Sequence, residues 1–418
     1  MVSGTRAVDR CDQLGVAPYS DMPDGLYRAY LTPAYVAAQR LVAHWMVEAG
    51  MTTRIDAAGN LIGRYPGTTN GPPLIIGSHL DSVRDAGRYD GPLGILLGIE
   101  CVAALHEAGE RMRFPIDVYA FGDEEGSRFP LAMLTSRAVA GVLDTAVAEP
   151  VDAAGVGLTE ALARYSQDAK VPVATTLAGF ADARHPGAIA YLEAHIEQGP
   201  ALEAEGLALG TVTAIAAQKR YSASVAGRAG HAGTTAMPLR RDALAAAAEM
   251  LLAAEQVARL AGGQNVATVG TLQVGPGAAN VVPGAARFTL DVRAATDAEC
   301  TRLAQDVLAR FRAIASKRDV PLTIETLHEL PASPSHAALM DIMDEAIAAE
   351  GLPILRLMSG AGHDAMILSA LCPTAMLFIR CRDGISHNPA ENVMTDDVDV
   401  AGKVMLRFIK RLEELQGA

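Results

Sequence analysis

Cysteine is sparse and scattered. Cys11, Cys101, Cys300, Cys372 and Cys381 form no C-x-x-C pair, which argues against a disulfide framework and for a reducing compartment. Positive charge is short as well: 35 Lys and Arg against 48 Asp and Glu leave a net charge of −13. That balance speaks against nucleic acid or an anionic membrane as partner. The best membrane candidate, residues 93–105, is interrupted by Glu100 and is too short to span. The first residues, Met-Val-Ser-Gly-Thr-Arg, lack an apolar signal core, so a soluble, cytoplasmic protein is expected. There is no internal repeat, no low-complexity tract, and no P-loop or dinucleotide fingerprint. What remains is a globular chain of 418 residues, half of them hydrophobic, long enough for two domains with cores of their own.

The hydrophobic pattern alternates strand with helix. Residues 1 to about 50 read as helices, with Pro33 opening the second and Gly50 stopping it. Strands are expected near 54–55, 61–65, 74–79, 116–121 and 188–192, with an apolar helix over 91–107. Gly94, Gly98 and Ala103 on that helix suggest close packing against the sheet. Residues 130–185 read as helix and loop. From about 211 the pattern becomes strands at 211–217, 220–227, 266–274, 286–294 and 320–327, with helices at 239–260 and 297–316. After Pro331-Ala-Ser-Pro334 the α/β pattern returns, with a helix at 336–350, a strand at 374–379 and a last helix from Thr395. The expected fold is therefore an α/β domain with a mixed, largely parallel, doubly wound sheet, split in sequence as 1–212 and 329–418. A compact α+β domain, 213–328, is inserted in it.

Four strand-like runs end in side chains that bind metals. The first ends in His79, with Asp81 and then Asp90 following; the others lead to Glu124-Glu125, to His195 and to His387. A strand-end histidine alone is as often hydrogen-bonded structure as a ligand. In an open α/β sheet, however, the functional crevice lies at the carboxyl ends of the strands, so four segments converge on one edge. If the chain stays extended past His79, Asp81 falls on the same side and can take the second imidazole N–H. Three imidazoles with two or three carboxylates suit Zn, Mn, Co or Ni better than Ca or Mg. Five ligands are too many for one catalytic ion with an open position and fit two ions sharing a carboxylate. His44 and His106 are set aside as surface or packing residues.

Gly77-Ser-His-Leu-Asp-Ser-Val83, Gly87-Arg-Tyr-Asp-Gly91, Asp123-Glu-Glu-Gly-Ser-Arg-Phe129, His195-Ile-Glu-Gln-Gly199, Gly230-His-Ala-Gly-Thr-Thr235 and Gly384-Ile-Ser-His-Asn388 together resemble one family. It is the hydantoinase/carbamoylase amidase branch of the M20-type dinuclear metallopeptidase superfamily. That branch comprises the N-carbamoyl-L-amino acid hydrolases, allantoate amidohydrolases and β-ureidopropionases. The resemblance implies two divalent ions, His79 and His195 on one, Glu125 and His387 on the other, and Asp90 bridging. It implies Glu124 as general base and acid, Asp81 as orienting carboxylate, and His231 as an oxyanion-stabilising residue supplied by the neighbouring subunit. Asn280 and Arg293 match positions that hold a substrate carboxylate, with Gln198, Gly360 and His363 in the substrate shell. The inserted domain becomes a ferredoxin-like dimerisation and lid domain, and the chain a homodimer. His195 points to ureido cleavage, because related exopeptidases usually carry an acidic ligand there.

From the residues alone, alternation on the 286–294 strand places Thr289, Asp291 and Arg293 on one face and Phe288, Leu290 and Val292 on the other; a guanidinium so placed can grip a carboxylate bidentately or simply face solvent. With the ligand set that the resemblance implies, two divalent ions against two carboxylates leave positive charge that stabilises hydroxide, and Glu124 would take the water proton and pass it to the leaving nitrogen. The expected activity is hydrolysis of N-carbamoyl-L-amino acids to L-amino acid, CO2 and ammonia. Allantoate is the alternative, then β-ureidopropionate, and last an aminoacylase or exopeptidase substrate. A non-catalytic binding protein on this scaffold would have no use for Glu124 and His231.

Overall fold

Residues 74–78 are apolar or small, and in the computed structural model, which describes residues 1–417, they form with His79 the strand Leu74–His79, all six residues of which are buried. Ile116–Phe121, Ala190–Ile196 and Thr374–Ile379 are likewise buried along their whole length. Strands covered on both faces cannot alternate polar with apolar, which is why they read as continuous apolar runs. They lie side by side in the order Ile116–Phe121, Leu74–His79, Ala190–Ile196, Thr374–Ile379, and every neighbouring pair is parallel. Leu61–Tyr65 and then Thr52–Ile55 extend one side in antiparallel sense, and Leu209–Ile215 the other. The four parallel strands are the four that lead to the candidate ligands. Their shared direction brings those residues to one edge.

The third strand is longer than its apolar run. Ala194, His195 and Ile196 pair with Leu377, Phe378 and Ile379, so His195 sits inside the strand rather than in the loop after it. Parallel pairing with an apolar neighbour carries the strand on through a polar residue.

Pro92–Glu107 starts with proline at its first position, where a missing N–H costs nothing, and is buried over most of its length. Gly91 caps it at φ +85, and a Cβ there would stand 2.5 Å from the His79 carbonyl oxygen. Only glycine fits between that strand end and the helix. A Cβ on Gly94 would lie 2.2 Å from the Ala194 carbonyl, so the helix presses directly on the strand that carries His195. Gly94→Ala is expected to destabilise the fold by about 1–3 kcal/mol through overpacking. A melting temperature equal to wild type would show that helix and strand are not in that contact. No helix among the described residues is long and apolar enough to cross a membrane.

The chain separates into two compact units. The first is Met1–Val212, Ser335–Leu357 and the residues from His363 onward; the second is Thr213–Pro334 with Met358–Gly362. In the second unit Leu272–Gly275, Ala285–Ala294, Ala217–Ala226 and Leu322–Leu330 form an antiparallel sheet in that order. The helices Ala243–Ala261 and Asp297–Lys317 share a core with it. The chain order β-α-β-β-α-β with this strand order is ferredoxin-like. Phe288, Leu290 and Val292 are buried while Thr289, Asp291 and Arg293 are half-buried, as the alternation requires.

The unit extends past 328, where the sequence pattern places its end. Leu322–Leu330 continues as strand through an irregularity at Thr326–His328, and Asp297 accepts the Ala332 N–H at 2.8 Å. Met358–Gly362 joins through the Met358 N–H on Gln264 Oε1 (2.6 Å) and the Ala216 N–H on the Ser359 carbonyl (2.9 Å).

Candidate metal centre

His79 and His195 are buried at the ends of neighbouring strands. His79 Nδ1 lies 3.0 Å from the Asp81 carbonyl oxygen and His195 Nδ1 2.9 Å from that of Ile196. A carbonyl only accepts, so each Nδ1 carries the proton and each Nε2 is left with a bare lone pair. The two Nε2 atoms stand 3.4 Å apart, and Asp90 Oδ1 lies 3.3 and 3.1 Å from them. Asp90 Oδ1 is buried and has no hydrogen-bond partner. With the proton of each ring on Nδ1, three electron pairs converge on one point, an arrangement that calls for a cation, a metal ion or a proton. Ligands bound at 2.0–2.1 Å in a tetrahedron are about 3.3–3.4 Å apart, which these distances match.

The other oxygen of Asp90 faces a second group. His387 Nε2 lies 3.3 Å from Asp90 Oδ2 and 3.4 Å from Glu125 Oε1. Two donor sets therefore form, His79–Asp90–His195 and Asp90–Glu125–His387, with Asp90 common to both. Burial opposes a charge on Asp90, but the imidazoles of His195, His387 and His79 around it more than offset that and hold the carboxyl well below its usual range. Asp90 and Glu125 in turn push His387 up to about 10. The pocket calls for positive charge, and its imidazole–carboxylate donors fit borderline divalent ions.

Glu124 is buried beside these groups. Burial raises its carboxyl well above the usual range, with His79 opposing and Glu125, Asp364 and Asp81 adding to the rise. A carboxyl with that bias holds a proton readily and can also give it up when a cation arrives.

Asp81 does not do what an extended chain would have it do. Its carboxylate is 4.0 Å from His79 Nδ1, and the imidazole uses the Asp81 backbone carbonyl instead. The strand ends at His79, and the chain turns so that Asp81 accepts the backbone N–H groups of Glu124 (3.2 Å) and Glu125 (3.3 Å). Asp81 thus holds Glu124 and Glu125 through the backbone of their loop.

Gln198, read as a substrate-shell residue, is turned onto the shared carboxylate: its Nε2 donates to Asp90 Oδ2 at 2.7 Å and to Ser386 Oγ at 3.2 Å. His363 is buried with its ring 4.4 Å from that of His195, and burial together with His195 keeps it neutral.

Three further residues were not singled out by sequence. Glu193, two residues before His195 on the same strand face, accepts from Ser78 Oγ (3.0 Å), Tyr191 Oη (3.1 Å) and Ala365 N (3.0 Å). A glutamate inside an apolar strand was its visible signal. Arg28 is fully buried and donates to the carbonyls of Leu80 (2.6 Å), Leu14 (2.8 Å) and Tyr19 (3.2 Å), fixing the turn that carries Asp81. Burial lowers its guanidinium to about 10, against the pull of Asp81. No motif marks it. Glu391 accepts the N–H groups of Tyr89 and Asp90 at 2.8 and 3.1 Å.

The remaining candidates belong to the second unit. His231 is exposed on the short strand Gly230–His231, which pairs with Val281–Val282, and Asn280 precedes that partner strand. Its Nδ1 accepts the Gly233 N–H at 3.1 Å, leaving an N–H donor at Nε2. Arg293 donates Nε and Nη2 to the Asp291 carboxylate (2.8 and 3.3 Å) and Nη1 to the Gly360 carbonyl. Asp291 also receives Arg220 and Gln218.

Residues 75–411 match the peptidase family M20/M25/M40. The chain is 40% identical over 417 residues to an N-carbamoyl-L-amino acid amidohydrolase of Geobacillus stearothermophilus, covering 99% of this chain and all of that one. It is 37% identical to an allantoate deiminase of Arabidopsis thaliana, over 97% of this chain and 81% of the relative. A crystal structure of a hydantoinase/carbamoylase family amidase from Burkholderia multivorans superposes with a TM-score of 0.88 at 33% identity, covering 98% and 97% of the two chains. The protein belongs to the M20 family and is an amidohydrolase, a hydrolase of C–N bonds.

Proposed function

We propose that this amidohydrolase uses two divalent ions to hydrolyse the ureido C–N bond of N-carbamoyl-L-amino acids, giving the L-amino acid, CO2 and ammonia. The observation that carries the reading is Asp90, which gives one oxygen to each of two donor sets. When bound, the ions supply Lewis acidity that makes water nucleophilic near neutral pH and polarises the ureido carbonyl.

The chain's own residues do the rest. Glu124, buried and in neither of the Asp90 donor sets, takes the proton of the attacking water and delivers it to the leaving nitrogen as the C–N bond breaks. The carbamic fragment then falls apart to CO2 and ammonia. Asp81 keeps Glu124 and Glu125 in register through their backbone. Gln198 steadies Asp90. His231, as an Nε2–H donor, stabilises the oxyanion, and under this reading it acts across a homodimer built on the second unit.

Arg293 binds the substrate carboxylate together with Asn280, and Gly360 and His363 are substrate-contacting residues. Two of its five N–H groups remain after its bonds to Asp291 and Gly360, enough to grip a carboxylate. The likeness to the Geobacillus amidohydrolase supports the carbamoyl substrate.

The test is ammonia release by Mn- or Co-loaded protein on N-carbamoyl-L- and D-amino acids, allantoate and a dipeptide. Turnover confined to the L-carbamoyl series is expected. Turnover of allantoate alone would keep the residue roles and reassign the substrate, while turnover of the dipeptide alone would overturn ureido cleavage.

A further inference from the structure

The weakest-held ligand is His387. Its side chain is 49% exposed, and its backbone sits at φ +54, where a residue with a Cβ is disfavoured. Four residues on, Glu391 ties the loop around it to the loop that carries Asp90.

We propose that Glu391 is a positioning residue that joins the loop carrying Asp90 to the loop carrying His387, and thereby sets the affinity of the Asp90–Glu125–His387 group for its ion. The inference rests on the two-ion reading above. Glu391 Oε1 accepts the N–H groups of Tyr89 (2.8 Å) and Asp90 (3.1 Å), gripping the backbone of the first loop. Its Oε2 lies 3.1 Å from Ser386 Oγ, the residue before His387, and Ser386 Oγ donates to Asp90 Oδ2 at 2.8 Å. Glu391 thus holds the backbone of Asp90 from within the His387 loop, while Ser386, beside His387, gives its one hydroxyl proton to the side chain of Asp90 and Gln198 donates to both Ser386 and Asp90.

The fit is tight. A Cβ on Gly87 would stand 2.2–2.3 Å from Glu391 side-chain atoms, so the first loop lies flat against the carboxylate it is bound to. Glu391 itself is 4% exposed. Outer partners of metal ligands act by fixing ligand orientation, and their loss typically costs roughly 10–100-fold in metal affinity.

A glutamine has the shape to replace this glutamate. Its Oε1 can accept both backbone N–H groups and its Nε2 can donate to Ser386, which still donates to Asp90. The tie between the loops, and not the charge, is what the proposal requires.

The experiment titrates Mn²⁺ into chelator-stripped full-length protein by calorimetry, with circular dichroism as a check on folding. Wild type is expected to bind two ions. In Glu391→Ala one ion binds with wild-type affinity and the other roughly 10–100-fold more weakly, while Glu391→Gln stays close to wild type. Glu391→Ala holding both ions at wild-type affinity would overturn the proposal, as would Glu391→Gln losing as much as Ala. Should the alanine variant fail to fold, Ser386→Ala decides: selective weakening of one ion supports the tie between the loops, and unchanged binding refutes it. Fewer than two ions in wild type would instead remove the two-ion reading.

Discussion

Glu124→Gln is expected to lower kcat by about 10²–10⁴-fold, the range that a positioned proton-transfer group supplies, while both ions stay bound. Glutamine keeps the shape and a hydrogen-bonding oxygen but cannot accept the proton of water or pass it on. Glu124 lies outside both groups that share Asp90, although it could join His79 and Glu125 in a third, and metal content decides between the two roles. Its backbone N–H on Asp81 is unaffected by the change, which keeps the loop and Glu125 in place. Measuring kcat and metal content on the same sample separates the outcomes. Activity near wild type would remove Glu124 from proton transfer, and loss of one ion would make it a ligand.

Asp90→Asn is expected to abolish turnover and to weaken both ions, by more than the roughly 10–100-fold that loss of an outer partner costs. The carboxylate faces two bare imidazole nitrogens on Oδ1 and His387 on Oδ2. An amide keeps the volume but supplies no charge and only one acceptor oxygen, so it cannot serve both groups. His387→Ala is the comparison: it touches one group, and one ion should be lost. If Asp90→Asn and His387→Ala each released a single ion, Asp90 would not be shared.

Much of this architecture was readable because its chemistry interrupts its hydrophobic pattern. The four apolar runs that lead to His79, Glu124-Glu125, His195 and His387 are four adjacent parallel strands, and a charged or imidazole residue at the end of such a run stands out. The inserted unit was legible for a related reason: Phe288, Leu290 and Val292 alternate with polar neighbours along a strand with one open face. What stayed hidden depends on where the chain turns. The role of Asp81 followed from assuming extension past His79, and the turn sends its carboxylate to the backbone of residues 124 and 125. Arg28 and Glu391 recognise backbone carbonyls and N–H groups, which carry no residue type for a pattern to show. The span of Ala190–Ile196 was fixed by pairing with Thr374–Ile379, nearly 200 residues away in sequence, which no local propensity reports.

The most direct test of the central claim is anomalous diffraction from crystals of the chain grown with Mn²⁺ or Zn²⁺. Two peaks per chain are expected, one against His79 and His195, the other against Glu125 and His387, with a different oxygen of Asp90 against each. A single peak, or two peaks of which only one touches Asp90, would contradict the shared-carboxylate centre on which the mechanism is built.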